Sequence, residues 1–198
     1  MPNIYPTSGY IDLHYGTDAH QRYDVLKHPT QDAGGNPCII YRHGGGWGTS
    51  DKRQPWINNR PGNEFFNYLV TRGLDTHFTL ISIETRQNAW ATPESGQTGY
   101  AASTTGWYDE VQTTRAYFPE TFLDVQRAVL GIKANAVSLN IDPNRIVLFG
   151  SSSGSLMSWW AANAEPMRVD GASVDKRSTR YYEAAGGLDS SVRGVIAY

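Results

Sequence analysis

Short runs of apolar residues alternate along this chain with longer segments that have the length and periodicity of helices. The apolar runs predict five β-strands, of which the first two form an antiparallel hairpin: 10–15, 21–27, 38–42, 78–83 and 145–149. Three helices are predicted, at 62–72, 120–138 and 156–162. Gly73 follows the first helix and is typical of a helix end. Strands that alternate with helices indicate an α/β fold, in which a mostly parallel sheet carries helices on both faces.

The composition is that of one folded domain without a strong charge bias. With 198 residues, the chain is long enough for a substantial core. A net charge of −2, with 18% charged residues, argues against binding to nucleic acid or to an anionic membrane. The one cysteine, Cys38, lies in a predicted strand and is expected to be a small core residue.

Neither a targeting segment nor a membrane segment is recognisable in the sequence. The first residues contain no basic start and no apolar stretch, so no signal peptide is expected. No apolar run approaches the ~20 residues that a membrane span requires. We therefore expect a cytoplasmic protein with no membrane span.

A turn of sequence GSSSG, at residues 150–154, connects the last predicted strand to the helix at 156–162. A strand-to-helix turn of the form G-x-S-x-G holds a nucleophilic serine in a strained conformation at the edge of a sheet. The strand and the helix approach so closely that glycine is needed two positions before and two positions after that serine. Only Ser152 satisfies both requirements. The alternative is an ordinary glycine-rich connection, but the strand-to-helix context favours Ser152 as a nucleophile.

A second glycine-rich motif, HGGGW at residues 43–47, follows the strand at 38–42. Three consecutive glycines let unshielded backbone N–H groups point into a cleft. There each fixed donor can stabilise an oxyanion by roughly 3–4 kcal/mol. A phosphate-binding loop is the alternative, but the spacing of Gly44, Gly46 and Thr49 does not match G-x-G-x-x-G, and no G-K-[S/T] follows.

Together the two motifs resemble the HGGG-type carboxylesterases and lipases of the α/β-hydrolase superfamily, which include the hormone-sensitive-lipase-like esterases. Further segments extend the resemblance over nearly the whole chain, as the N-terminal portion of that fold: 15–29, 118–135, 141–146 and 192–198. The resemblance implies that 192–198 is the next strand of the sheet.

The resemblance also implies a role for each residue of the two motifs. Ser152 would attack the carbonyl carbon of an ester. Three backbone amides would hold the oxyanion: those of Gly45, Gly46 and Ser153. His43 and Gly44 would support the oxyanion loop, with His43 packed beneath it. A small-molecule ester with a short acyl chain is the implied substrate, and neither a cofactor nor a metal is implied.

The sequence departs from the family pattern after the nucleophile. The family order is serine, acid, histidine, but all five histidines precede Ser152: His14, His20, His28, His43 and His77. By resemblance, the acid and the histidine would follow strands beyond Tyr198, and we assign no acidic residue of this sequence to the triad. His43 as a substitute base is an alternative, because it and Ser152 follow strands that are expected to be neighbours.

Two histidines near the N-terminus do not indicate a metal site. The spacing of His14 and His20, with Asp12 and Asp18, matches no zinc or calcium pattern. The alternation of apolar and polar residues instead predicts that His14 lies on the solvent face of the hairpin.

Two long segments have no predicted strand or helix. The segment 84–117 is rich in Thr, Gly, Ser and aromatic residues and is predicted to be a lid or binding loop. Four of its aromatic residues could form the rim of a substrate site or could simply anchor the loop to the core: Trp90, Tyr100, Trp107 and Tyr108. The segment 165–189 is polar, and we assign it no role.

We therefore expect a serine carboxylic-ester hydrolase. The alternatives are a non-catalytic binding module on the same fold, one half of a two-chain enzyme, and an enzyme with an unusual base. Residues 196–198 lie inside an apolar run, so we expect the single domain 1–198 to be incomplete. An uncovered apolar edge favours association, and the isolated chain is expected to form a homo-oligomer or to bind a complementary C-terminal fragment.

Overall fold

The computed structural model describes residues 10–18, 20–26, 33–45, 52–56, 62–73, 77–88, 115–116, 120–164 and 188–198. Several predictions fall outside these residues, namely those on Gly46, Trp47 and the four aromatic residues of the expected loop rim. The expected lid, 84–117, is described only at its two ends. The polar segment 165–189 is described only at Leu188 and Asp189.

Eight strands lie in the described part of the chain. They are β1 (Leu13–His14), β2 (Arg22–Leu26), β3 (Asn36–Arg42), β4 (Thr79–Ile83), β5 (Gln87–Asn88), β6 (Arg115–Ala116), β7 (Ile141–Gly150) and β8 (Gly194–Ala197). Six of them form one sheet in the order β1-β2-β4-β3-β7-β8, and β5 pairs with β6 in parallel. In the large sheet β2 is antiparallel to both of its neighbours, whereas β4, β3, β7 and β8 run parallel. The predicted mostly parallel sheet is confirmed.

Two strands differ most in length from the prediction. β1 is shorter, because Asp12 directly before it has a φ of 54°, outside the extended region that strand pairing requires. β7 begins at Ile141, and the pairing of β3 with β7 shifts register between Asn36 and Cys38. Residues 142–145 of β7 are three polar residues and a proline, so the apolar pattern alone places the start of β7 too late.

Four α-helices and a short 3-10 turn pack around the sheet in the described part of the chain. They are α1 (Asn63–Thr71), α2 (Glu120–Ala134), α3 (Ala136–Leu139), α4 (Ser153–Asn163) and the 3-10 turn Gln54–Trp56. The single helix predicted at 120–138 is interrupted at Asn135, whose side-chain amide donates to the carbonyl of Gly131 at 2.8 Å. Such local side-chain bonds compete with the helical backbone pattern. α1 ends before Gly73, as predicted.

The core lies on both faces of the sheet. Successive side chains of a strand point to opposite faces, and β3 shows this directly. Ile40 belongs to the cluster that contains residues of α2 and α4, whereas Ile39 and Tyr41 belong to the cluster that contains Phe66 of α1. Cys38 is buried in the first of these clusters. Helices therefore cover both faces of the parallel strands, as predicted.

Within the described residues, no helix is long and apolar enough to cross a membrane. The same residues contain no group of three or more His, Cys, Asp or Glu side chains arranged to hold a metal ion.

Candidate active site

Ser152 stands at the junction of β7 and α4. The strand ends at Gly150, and Ser152 is the N-cap of α4 with φ 53° and ψ −124°. This conformation is rarely adopted by residues with a side chain and is energetically strained. Of the three consecutive serines, Ser152 is exposed, while Ser151 and Ser153 are 4% and 8% exposed. The turn therefore presents one hydroxyl to solvent, that of Ser152.

The two flanking glycines are required by close backbone contact. A Cβ on Gly150 would lie 2.3 Å from the carbonyl oxygen of Gly154, and a Cβ on Gly154 would lie 2.2 Å from that of Arg42. Neither backbone oxygen can move away as the end of a flexible side chain could. The spacing that singles out Ser152 in the sequence thus corresponds to a real steric constraint.

The second glycine motif lies beside this turn. β3 and β7 are parallel neighbours, with Arg42 opposite Gly150, so the residues that follow both strands meet at one edge of the sheet. Ser151 N–H donates to the carbonyl of Arg42 at 3.2 Å. A Cβ on Gly44 would lie 3.0 Å from the Cβ of Ser152. The structure therefore brings the start of the glycine loop into contact with Ser152.

The predicted oxyanion donors are described only in part. Ser153 is the first residue of α4, directly after Ser152. Its N–H group belongs to the positive end of the helix, where negative charge is favoured. Gly45 has a φ of 115°, a conformation suited to glycine. Gly46, the third predicted donor, lies outside the described residues.

His43 is buried beneath the start of the glycine loop. Its Nδ1 lies 2.6 Å from the carbonyl oxygen of Gly44, and a carbonyl can only accept, so Nδ1 is the donor in this hydrogen bond. Its Nε2 lies 3.6 Å from Oε1 of Glu84. Burial and the neighbouring Arg42 lower the pKa of His43, and Glu84 opposes this effect. In the described part of the chain, no hydrogen bond joins this ring to Ser152.

Of the other described histidines, two are exposed, and His20 is buried and interacts electrostatically with Glu84. His14 is exposed on β1, as predicted, and His77 is exposed just before β4. His20 is buried, and its backbone N–H donates to Oδ1 of Asp18 at 2.9 Å. His28 lies outside the described residues.

A group of buried charges next to the glycine loop escaped the sequence analysis. Arg42 and Glu84 are each 2% exposed, and Nη1 of Arg42 donates to the carbonyl of His43 at 2.7 Å. Lys52 places its ammonium group 2.8 Å from Asp12 and 3.0 Å from Asp24. Buried charges are rare unless they are paired. The available signal was the charged residues at the ends of the apolar runs of β3 and β4.

A second buried charge centre is Asp124 on α2. Its carboxylate accepts from Nη1 of Arg127 at 2.7 Å, from Nη2 of Arg86 at 2.8 Å and from the amide of Gln21 at 2.9 Å. Arg86 leads from β4 into the segment expected to be a lid. Asp124 therefore fixes the start of that segment and the β1–β2 turn onto α2.

Comparisons with known proteins agree with this architecture. The BD-FAE family profile, of an α/β-hydrolase-type esterase family, matches residues 93–197. This range covers more than half of the chain and includes Ser152, but it excludes the glycine loop. No curated protein sequence matches the chain.

Of three similar solved structures, two are described as esterases. A bifunctional GH43-CE protein of Bacteroides eggerthii matches with a TM-score of 0.62 and 19% identity, over 96% of this chain and 20% of that protein. A truncated carbohydrate esterase from gut microbiota matches with a TM-score of 0.60 and 19% identity, over 98% of this chain and 59% of that protein. The esterase Est2 of the planctomycete Thermogutta terrifontis, with propionate bound, matches with a TM-score of 0.56 and 15% identity, over 95% of this chain and 53% of that protein.

The chain thus spans between a fifth and three fifths of the length of these solved proteins. At these identities the likeness shows a shared fold, the α/β-hydrolase fold of esterases. The shared fold alone does not establish family membership, but the match to the family profile does. This chain belongs to the BD-FAE family of α/β-hydrolase-type esterases.

Proposed function

We propose that this protein is a serine carboxylic-ester hydrolase in which Ser152 is the nucleophile. The observation that carries the proposal is the contact between Gly44 and Ser152, in which a Cβ on Gly44 would lie 3.0 Å from the Cβ of Ser152. A nucleophile at a strained strand-to-helix turn and a loop able to supply backbone N–H groups are the two parts that acyl transfer requires in one place. Membership of an esterase family supports the same reaction.

The proposed reaction has two halves. Ser152 Oγ attacks the ester carbonyl carbon as its proton passes to a base, and the carbonyl oxygen becomes an oxyanion. When the tetrahedral intermediate collapses, the alcohol leaves with that proton and an acyl-serine remains. Water, deprotonated by the same base, then attacks the acyl-serine, and the acid is released as the serine recovers its proton.

Backbone N–H groups stabilise the oxyanion in this proposal. They are those of Gly45, Gly46 and Ser153. A fixed donor of this kind is worth roughly 3–4 kcal/mol, because it is already oriented when the charge develops. The positive end of α4 adds to the same effect. His43 and Gly44 support the loop, and the reaction as written uses no metal and no cofactor.

The proposal assigns the base to a histidine outside residues 1–198. All five histidines of the sequence precede Ser152, whereas the family order places the histidine after the serine. His43 is not assigned this role, because its Nδ1 bonds to Gly44 and its Nε2 faces Glu84. The acidic residue of the triad is likewise assigned to a position outside residues 1–198.

A small ester with a short acyl chain is the proposed substrate. The Thermogutta terrifontis esterase was solved with propionate bound, which is a short carboxylate. One of the similar structures is described as a carbohydrate esterase, so an acylated sugar is a suitable ester to test.

The test is ester hydrolysis by the protein expressed from its complete reading frame. We expect turnover of p-nitrophenyl acetate that decreases with longer acyl chains, and covalent phosphorylation by paraoxon at Ser152, located by peptide mass spectrometry. Ser152→Ala should abolish both results. Ser151→Ala, a matched change one residue earlier, should retain most of the activity.

Two results would contradict the proposal. Equal losses in the two variants would mean that Ser152 is not singled out as the nucleophile. A folded wild-type protein that binds esters, but neither hydrolyses them nor reacts with paraoxon, would instead favour a binding module on an esterase fold.

A further inference from the structure

Glu84 is a buried carboxylate with a tightly held backbone. It directly follows β4, and its side chain is 2% exposed. Its N–H donates to the carbonyl of Arg22 at 2.8 Å, and its own carbonyl accepts from the hydroxyl of Tyr15 at 2.6 Å. Because both backbone groups are bonded, the carboxylate has a defined position next to the glycine loop.

The two oxygens of this carboxylate face opposite ends of that loop. Oε1 lies 3.6 Å from Nε2 of His43, and Oε2 accepts a long hydrogen bond of 3.4 Å from the backbone N–H of Lys52. His43 and Lys52 flank residues 44–51, which contain two of the proposed oxyanion donors. One side chain thus contacts the chain where the loop begins and again where it ends.

A continuous series of contacts connects Glu84 to the nucleophile. Glu84 faces Nε2 of His43, and Nδ1 of His43 is hydrogen-bonded to the carbonyl of Gly44 at 2.6 Å. Gly44 in turn lies against Ser152. A change in the length of the Glu84 side chain is therefore expected to move the loop relative to Ser152.

The charge on Glu84 is maintained against burial. Burial by itself would raise the pKa of this carboxyl, but His43, His20 and Arg42 outweigh that effect and lower it to about 2. An anion buried in this way has a large desolvation cost, and a well-packed apolar residue often stabilises a core as well or better. Compensation of the buried Arg42 charge is one reason for a carboxylate at this position, and a role in holding His43 and the Lys52 amide would be a second.

We propose that Glu84 is the positioning residue of the oxyanion loop, holding His43 and the Lys52 amide so that Gly44, at the start of the loop, stays against Ser152. The inference rests on the proposed function, since a positioning role presupposes the ester hydrolysis that it supports. Glu84 itself is not expected to touch the substrate. Its effect should appear in the stabilisation of the transition state and not in the binding of the ester.

Two variants separate the reach of the side chain from its charge. Glu84→Asp keeps the charge but is shorter by one methylene, so it cannot contact both ends of the loop. Glu84→Gln keeps the length and can still accept from the Lys52 N–H, but it places no negative charge beside His43 Nε2. Glu64→Gln, at an exposed position on α1, is the matched control.

The experiment measures kcat and KM for p-nitrophenyl acetate together with the thermal melting of each variant. Loss of a single oxyanion donor costs about 100- to 1,000-fold in kcat, and displacement of the loop should cost less. We expect kcat to fall about 10- to 100-fold in Glu84→Asp and about 3- to 10-fold in Glu84→Gln. KM should stay within about threefold of the wild-type value, and Glu64→Gln should match the wild type.

Several outcomes would overturn the inference. It is wrong if either folded variant keeps the wild-type kcat, if KM rises as much as kcat falls, or if Glu84→Asp is more active than Glu84→Gln. Should Glu84→Asp fail to fold, Glu84→Gln alone decides, and failure of both to fold would identify Glu84 as a folding residue only. A wild type that hydrolyses no ester and is not phosphorylated at Ser152 refutes the proposed function itself, which is a different result.

Discussion

Gly44 lies directly against Ser152, so that a Cβ placed on Gly44 would stand 3.0 Å from the Cβ of Ser152 and 2.9 Å from the carbonyl oxygen of Ser151. The two residues are far apart in the sequence, and they meet because β3 and β7 are parallel neighbours that end at the same edge of the sheet. This contact joins the two glycine-rich motifs into one candidate site.

The first prediction concerns this contact. Gly44→Ala should push the loop away from Ser152 by a few tenths of an ångström, because the added methyl meets a backbone carbonyl. We expect kcat for p-nitrophenyl acetate to fall about 10- to 100-fold, since small displacements in an active site have effects of this size. Gly194→Ala is the control, because nothing lies within 4 Å of its added Cβ. Wild-type kcat in Gly44→Ala would contradict the proposed oxyanion loop.

The second prediction concerns the contact between α4 and β3. In Gly154→Ala the added Cβ would lie 2.2 Å from the carbonyl oxygen of Arg42 and 2.4 Å from that of His43. Both are backbone atoms, so we expect a loss in the free energy of unfolding of about 3 kcal/mol, at the upper end for overpacked sites. Gly194→Ala should leave stability nearly unchanged. Urea unfolding measures both, and similar values for the two variants would show that the helix can shift without cost.

The third prediction concerns the buried carboxylate of Asp124. Asp124→Asn removes the negative charge that Arg86 and Arg127 share. Breaking a buried pair in this way typically costs about 3–5 kcal/mol, because the remaining charge stays buried without compensation. Asp142→Asn, which affects a more exposed pair with Arg145, should cost less than about 1 kcal/mol. Chemical denaturation distinguishes the two variants. An Asp124→Asn protein as stable as the wild type would show that the arginines find other partners.

The fourth prediction is a pH dependence of stability that depends on Glu84. The pKa of this carboxyl is about 2 in the folded protein, below its ordinary value of 4.5. As the pH falls, the unfolded chain therefore takes up the proton first. The resulting stabilisation, on the order of 3 kcal/mol, is fully present above about pH 5 and is lost as the pH falls towards 2.

Glu84→Gln lacks this titration, so the stability difference between wild type and variant should shrink from pH 5 to pH 2. Stability is compared as a difference between wild type and variant because His43, whose pKa is also lowered, is present in both and itself contributes a loss of stability as the pH falls. Glu64→Gln provides the control in the same urea series. A stability difference that does not change with pH would mean that Glu84 is not held as an anion.

Much of the fold could be predicted from local sequence patterns. Apolar runs marked the central strands β3, β4 and β7, and the glycine spacing at 150–154 selected Ser152 from three consecutive serines. These signals are local, because strand burial and a tight turn depend on residues that are adjacent in the chain. The prediction placed the start of β7 too late, because the strand begins with residues outside the apolar run. It also missed the break in the helix at Asn135, because a side-chain hydrogen bond interrupts a helix without changing the apolar pattern.

Local sequence patterns were enough to predict the α/β class, the strand-to-helix turn at Ser152 and the glycine loop after β3, because each depends on the backbone requirements of neighbouring residues. Three relationships could be seen only in the folded chain: Gly44 touches Ser152, Glu84 faces both His43 and Lys52, and Asp124 joins Gln21 to Arg86. Ion pairs and loop contacts depend on distances in space between residues far apart in the chain. Those distances are set by the order and register of the strands, which residue periodicity does not encode.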